Sequence, residues 1–330
     1  STMPKTQGYK PNFLGKNLKV ALPQPNSNLQ ADFAHAKKGK VYGLLHYPHH
    51  SVQLSKKRKL PVFTAVNIDG KLFRPIKRSD IFGEGSEDWD VDERAKDYQW
   101  GDALYKAAGS DYDRGHLVKR EDPQWGKTDE EAAAASRATF FYSNSVPQVK
   151  ELNRKEWRNL EDYILKKQSA KNKLRVTVLT GAVLLDNDPV FVQPVNGETV
   201  ALPGWVWKVV YYTNDGKTLS RAAFLMGQRD LLLQRGIAKL PPVERGVARA
   251  PVVRMFEDYK DATTFQVNIA LIEELTGLTF SPAEEPHQDR RPSKIVLNEV
   301  EIPATRSISA TRSAGMEGKE VDFELEGIVL

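Results

Sequence analysis

The sequence predicts an α+β fold built on a mainly antiparallel sheet flanked by helices, and three observations carry that prediction. Strand-like and helix-like segments are mixed along the chain without the regular βαβ alternation that a parallel sheet requires. Two Asp-Gly pairs, Asp69-Gly70 and Asp215-Gly216, each lie between β-rich apolar stretches, the pattern of a hairpin. Of 330 residues, 40% are hydrophobic and 9% aromatic, enough to bury a sizeable core.

Taken in order, residues 1–58 read as a polar, irregular N-terminal arm containing an amphipathic stretch, ADFAHAKKGKVYGLL, and the basic run KKRK at Lys56 to Lys59, expected as a surface loop. LPVFTAVNIDGKLFRPI reads as a hairpin turning at Asp69-Gly70, and residues 79–110 as acidic loop. The alanine run from Glu130 to Ala138 predicts a helix. TFFYSNSVPQ predicts a short strand that stops at Pro147, which has no amide to donate. LNRKEWRNLEDYILKK carries Leu152, Trp157, Leu160, Ile164 and Leu165 at helical spacing, with Asn153 near its start and lysines at its end, as the helix dipole favours. LRVTVLTGAVLL, GWVWKVVYYTNDGKTLSRAAFLM and TTFQVNI read as strands, and FQVNIALIEELTGLTF as strand then helix, closed by Gly277. From Ser281 the composition turns to Pro, Glu, Arg and Ser, an extended arm whose last apolar segment, FELEGIVL, is expected to dock as a strand on the body or on a partner.

Bulk properties exclude some functions. No run of about 18 apolar residues exists, so no helical membrane span is expected. STMPKTQGYKPNFLG lacks the apolar centre of a secretory signal, and Ser1-Thr2 ahead of Met3 suggests Met3 as a natural start, which favours a cytoplasmic over an exported protein. With no cysteine there is no disulfide or thiolate metal site, so any metal must be held by oxygen or histidine nitrogen. The net charge of +5 is compatible with a polyanionic partner without requiring one.

Two clusters carry chemistry. In DRGH, Arg114 offers a planar donor fork suited to phosphate, Gly115 permits close backbone approach to a ligand, and His116 titrates near neutrality. Downstream, Asn153 carries an amide oxygen able to bind Mg²⁺, a hard ion that keeps most of its waters. Glu161 lies eight positions on, about 12 Å along a helix, and suits contact with a metal-bound water.

The ordered set DRGH, YSNSVPQ, LNRKEW and NLED, continued by VTVLTG, VWKVV, AAFL and FQVNIALIEELTGLTF, resembles the DNA/RNA non-specific endonucleases of the ββα-metal (His-Me finger) type, which include endonuclease G. The likeness covers residues 59–280, leaving 1–58 as an N-terminal arm and 281–330 as a C-terminal extension. It implies a nuclease domain that hydrolyses DNA and RNA to 5′-phosphate and 3′-hydroxyl ends, with His116 as general base. Asn153 would be the direct ligand of Mg²⁺, with Mn²⁺ as substitute, and Glu161 would act through a metal-bound water. Asp113 and Arg114 would shape the loop and hold phosphate. Asn144 would support the histidine loop and the substrate and metal sites. Arg78 would be the upstream phosphate contact, with Arg74 in reserve. Family members are often dimers, so a homodimer is expected, and the C-terminal extension is expected to meet an inhibitor or partner protein.

Two positions depart from the pattern. Some relatives carry arginine and asparagine where this chain has Leu165 and Phe140, so some phosphate contacts are missing or come from neighbours such as Lys166. The alternative reading is a catalytically weak nuclease fold kept for binding nucleic acid or a partner. Against it, His116, Asn153 and Glu161 are all present.

Overall fold

The computed structural model describes residues 8–35, 44–85, 88–150, 152–153, 160–161, 163–164, 173–242, 264–294, 296–301 and 321–326. Its centre is an eight-stranded antiparallel sheet. The contributing strands are β1 (Leu44–Tyr47), β2 (His50–Leu54), β3 (Pro61–Asp69), β6 (Arg175–Val183), β7 (Trp205–Tyr212), β8 (Ser220–Gly227), β9 (Thr264–Val267) and β10 (Ser293–Lys294). They lie side by side in the order β10-β9-β8-β7-β6-β3-β2-β1. A separate hairpin, β4 (Tyr112–His116) with β5 (Ser145–Val149), packs on this sheet.

The sheet is covered on both faces, which is why its central strands read as nearly continuous apolar runs. Along β7, Val206 and Val210 point into the core shared with the β4–β5 hairpin, while Trp207, Val209 and Tyr211 point to the other side. That second side is closed by Tyr9 and Val20 of the N-terminal segment and by the helix Ile269–Thr276. The helix is capped by Asn268, whose side chain accepts from Leu271 N, and ends at Gly277 in the left-handed conformation, φ 72°.

Several expectations need correction. The stretch up to residue 58, expected to be irregular, supplies β1 and β2, the outer strands of the sheet. Of the amphipathic stretch in that arm, residues 36–43 lie outside the described residues. Asp69-Gly70 turns the chain but makes no hairpin. β3 already has β2 on one edge and β6 on the other, so the following segment finds no edge to pair with, and Phe73 bridges Trp125 instead. The Asp215-Gly216 hairpin is present, with Tyr212 opposite Ser220 and Gly216 at φ 71°. β5 runs through Pro147, because its one strand partner is β4 and the proline stands opposite Arg114 without interrupting the ladder. Residues 79–110 carry short helical turns at Arg78–Phe82, Glu93–Tyr98 and Asp102–Tyr105 rather than continuous loop. In the C-terminal extension, Ser293–Lys294 joins the main sheet, and Val321–Glu326 pairs with Val296–Glu301 of the same extension rather than with the body.

The KKRK run has local partners. Lys57 meets Asp186, Lys59 meets Glu198, and Arg58 is largely buried in a 2.8 Å ion pair with Asp188. These charges are spent on this chain's own carboxylates. Among the described residues no helix is long and apolar enough to cross a membrane.

Candidate active site

The site is assembled from a hairpin and the helical segment that follows it. β4 carries DRGH, with Asp113 opposite Gln148, Gly115 opposite Val146 and His116 opposite Ser145. Of the stretch that follows, Leu152, Leu160 and Ile164 are buried, positions that belong to the expected apolar face. Trp157, Leu165 and Lys166 lie outside the described residues. Two antiparallel strands followed by a helical segment therefore present the DRGH side chains and those of Asn153 and Glu161 to one cleft of about 470 Å³.

The cleft brings together five of the expected residues from these elements: Asp113, Arg114, His116, Asn153 and Glu161. Arg78, the first residue of its short helix, lines the same cleft. Arg74 does not serve as the reserve: its guanidinium is engaged by Gly126 O, Lys127 O and the Asp129 carboxylate. Lys119, Arg120 and Glu121 also line the cleft, with Glu121 bridging the two cations at 3.1 and 2.8 Å. Sequence reasoning passed over these three, although they follow DRGH directly in LVKRED.

His116 is held between rings. Trp89 and Phe140 each lie 4.6 Å from it, centroid to centroid. Its Nε2 is enclosed and makes no hydrogen bond among the described residues. Burial first, then the positive charges of Arg120 and Arg78, push its pKa down to about 3 against the weaker opposing pull of Glu121. The imidazole is therefore neutral at pH 7, the form that accepts a proton. Phe140 supplies part of this apolar wall. Trp89, from the acidic loop, supplies the rest and had no signal in the sequence beyond being an aromatic in a polar stretch.

Asn153 donates through Nδ2 to Asp113 Oδ2 at 3.1 Å. That bond uses the amide nitrogen and not the oxygen, the atom able to bind a cation. Arg114 is steadied by Tyr142 Oη at 3.2 Å and by Asp102 at 3.3 Å. Glu161 is 8% exposed, and its Oε1 lies 3.4 Å from the Lys208 ammonium. The oxygen donors Asn153, Asp113 and Glu161 in one cleft fit a hard cation that retains water. Among the described residues there is no group of three or more His, Cys, Asp or Glu that would enclose an ion unaided, so a bound cation would keep waters in its shell.

Asn144 and Gly115 are each engaged within the protein and not with the open cleft. Asn144 is fully buried and touches no open space. Its Oδ1 accepts from Val118 N, and its Nδ2 donates to Val118 O and Thr139 O. It clamps the loop that leaves His116 and has no group to offer a substrate. Gly115 gives no room to a ligand either: a Cβ there would stand 2.2 Å from the Gln148 side chain. The glycine is needed because Gln148 of the paired strand packs across it.

The chain resembles several characterised and uncharacterised proteins. It is 30% identical over 288 residues to the uncharacterized protein y4fB of Sinorhizobium fredii, covering 83% of this chain and 39% of that protein. It is 28% identical over 174 residues to mitochondrial endonuclease G of Homo sapiens, covering 47% of this chain and 56% of that one. A solved EndoG/EndoGI complex superimposes with a TM-score of 0.46 at 16% identity, over 85% of this chain and 93% of that one, too remote a match to bear on the site. The chain spans well under two thirds of either curated relative's length. Residues 31–286, most of the chain and all of the cleft, match the pattern of the DNA/RNA non-specific endonucleases, and the chain belongs to that family.

Proposed function

We propose that the protein is a Mg²⁺-dependent endonuclease that hydrolyses phosphodiester bonds of DNA and RNA without sequence preference. The observation that carries this reading is the neutral imidazole of His116 in a cleft shared with Asn153, Glu161 and four basic side chains. Family membership supplies the substrate class.

Arg78, Arg114, Lys119 and Arg120 give the cleft wall its positive charge and suit phosphate oxygens on either side of the scissile bond. The His116 imidazole takes a proton from the attacking water. The water oxygen bonds to phosphorus as the bond to the 3′ oxygen breaks, and that oxygen leaves with the bonding pair and acquires a proton. The products are a 5′-phosphate and a 3′-hydroxyl. Asn153 would hold Mg²⁺ through its amide oxygen, with Glu161 reaching it through water, and the cation, with Mn²⁺ as substitute, would offset negative charge developing on the phosphate and the leaving oxygen. Asp113 orients Asn153, and Asn144 holds the loop behind the base. Because water rather than the 2′-hydroxyl attacks, both sugars serve as substrate.

The test uses supercoiled plasmid and total RNA with Mg²⁺, with and without EDTA, followed by end-group analysis. Cleavage of both polymers that EDTA abolishes, with fragments bearing 5′-phosphates, is the expected result. Intact substrates in Mg²⁺ and in Mn²⁺, with binding retained, would instead favour a nucleic-acid-binding module.

A further inference from the structure

Lys208 occupies a position where folding alone calls for a hydrophobe. It lies in the middle of β7 on the face that also carries Val206 and Val210, with Thr180 of β6 and Phe224 of β8 as its cross-strand neighbours. Its side chain is 1% exposed. Taking an ammonium ion out of water is costly, and an ion pair in such a place repays that cost poorly compared with a well-packed apolar residue. A charge kept there points to a use beyond stability.

The surroundings identify the use. The ammonium donates to Thr180 Oγ1 at 3.1 Å and meets Glu161 Oε1 at 3.4 Å. That oxygen is enclosed, while the residue also lines the cleft beside Asn153 and His116. Asp122, buried in the turn after DRGH, accepts from Lys119 N at 3.0 Å and is within electrostatic reach of both members of the pair. The central sheet and the helical segment thus meet through one ion pair directly beneath the cleft.

We propose that Lys208 is a positioning residue of the nuclease site: gripping Glu161 from beneath, it fixes that carboxylate relative to Asn153 and thereby sets the affinity for the divalent cation. This rests on reading the cleft as a metal-dependent nuclease site. Lys208 itself does not line the cleft, so it acts on the site through Glu161.

The test measures Mn²⁺ binding to the full chain by electron paramagnetic resonance, without nucleic acid, alongside plasmid cleavage, for wild type, Lys208→Met, Glu161→Gln and the double variant. Circular dichroism establishes that each is folded. Lys208→Met is expected to weaken Mn²⁺ binding about 10- to 100-fold, the size of loss seen when a group supporting metal ligands is removed. Added to Glu161→Gln, it is expected to change neither binding nor rate further. A merely structural lysine would lower thermal stability and leave Mn²⁺ affinity intact, which overturns the proposal, as does a double variant clearly worse than Glu161→Gln. If Lys208→Met does not fold, the double variant, which removes both charges of the pair, is compared directly with Glu161→Gln, and a further loss again overturns it. Wild type that cleaves and binds Mn²⁺ while Lys208→Met behaves identically defeats this proposal alone. Wild type that neither binds nor cleaves defeats the nuclease reading itself.

Discussion

The two faces of the central sheet are made by the same strands and are organised differently. On the face toward Tyr9, Val20 and the helix Ile269–Thr276, residues such as Leu179, Val209 and Leu225 meet apolar partners, and the hydroxyls of Tyr9 and Tyr211 end on backbone carbonyls. On the face toward the β4–β5 hairpin the apolar row is broken by Thr180 and Lys208, with Glu161 and the buried Asp122 beyond them. The first face is mainly apolar, and its buried Asn67 and Thr177 are paired with each other at 3.3 Å. The second departs from this pattern where the cleft lies above it, and the departure marks the side of the sheet that works.

That contrast is broken or sharpened by substitutions on each face. The largest effect is expected at His116→Ala, which removes the base and lowers the cleavage rate about 10²- to 10⁴-fold while circular dichroism remains that of the folded protein. Next, Leu225→Ala on the opposite face should lower unfolding free energy by about 2–5 kcal/mol in urea titration, with the rate of the folded enzyme unchanged. If the rate falls in proportion, the two faces are not separable.

A third expectation concerns pH. The His116 pKa lies at about 3, below the ordinary 6.5, so the base form persists as pH is lowered from 7 to 5, and the acidic limb of kcat/KM should fall below pH 5. The same shift has the opposite consequence for folding. Between about pH 6.5 and 3 the unfolded chain binds a proton that the folded chain does not, so this group makes the fold less stable as pH drops through that window. An acidic limb centred near 6.5 would mean that the base is not the buried imidazole described here. The smallest effect separates two basic regions. Arg78→Ala in the cleft should reduce the slope of log binding constant against log salt by about 1 in DNA anisotropy titrations, whereas Lys57→Ala should leave that slope unchanged and alter stability by no more than about 1 kcal/mol.

Much of the site was legible because its parts keep order and distance along the chain. DRGH, Asn153 and Glu161 keep their order along the chain, and the pairing of the DRGH strand with Ser145–Val149 brings the first motif beside the second. Arg78 was distinguished from Arg74 only by tertiary contacts, since either arginine reads as a phosphate ligand until one is seen engaged by Gly126, Lys127 and Asp129. β2 was missed because HSVQL is rich in polar residues, and β1 because LLHY is short and follows the polar run AKKGK. His50, Ser51 and Gln53 are nonetheless buried in the sheet. Asp69-Gly70 misled because a local turn signal says nothing about whether an edge is free to receive the returning strand. Lys208 left one trace, its parity in WVWKVV, where a lysine shares a face with Val206 and Val210.

The central claim is that one cleft carries both the base and the metal ligand, and the most direct test is the initial rate of closed circular DNA cleavage by wild type, His116→Ala and Asn153→Ala across a Mg²⁺ titration. The account predicts that wild type nicks the circle, that His116→Ala stays at least 100-fold slower at every Mg²⁺ concentration, and that Asn153→Ala needs far more Mg²⁺ to reach any given rate. Equal rates for the three proteins, or loss in both variants with the Mg²⁺ dependence of Asn153→Ala unchanged, would contradict it.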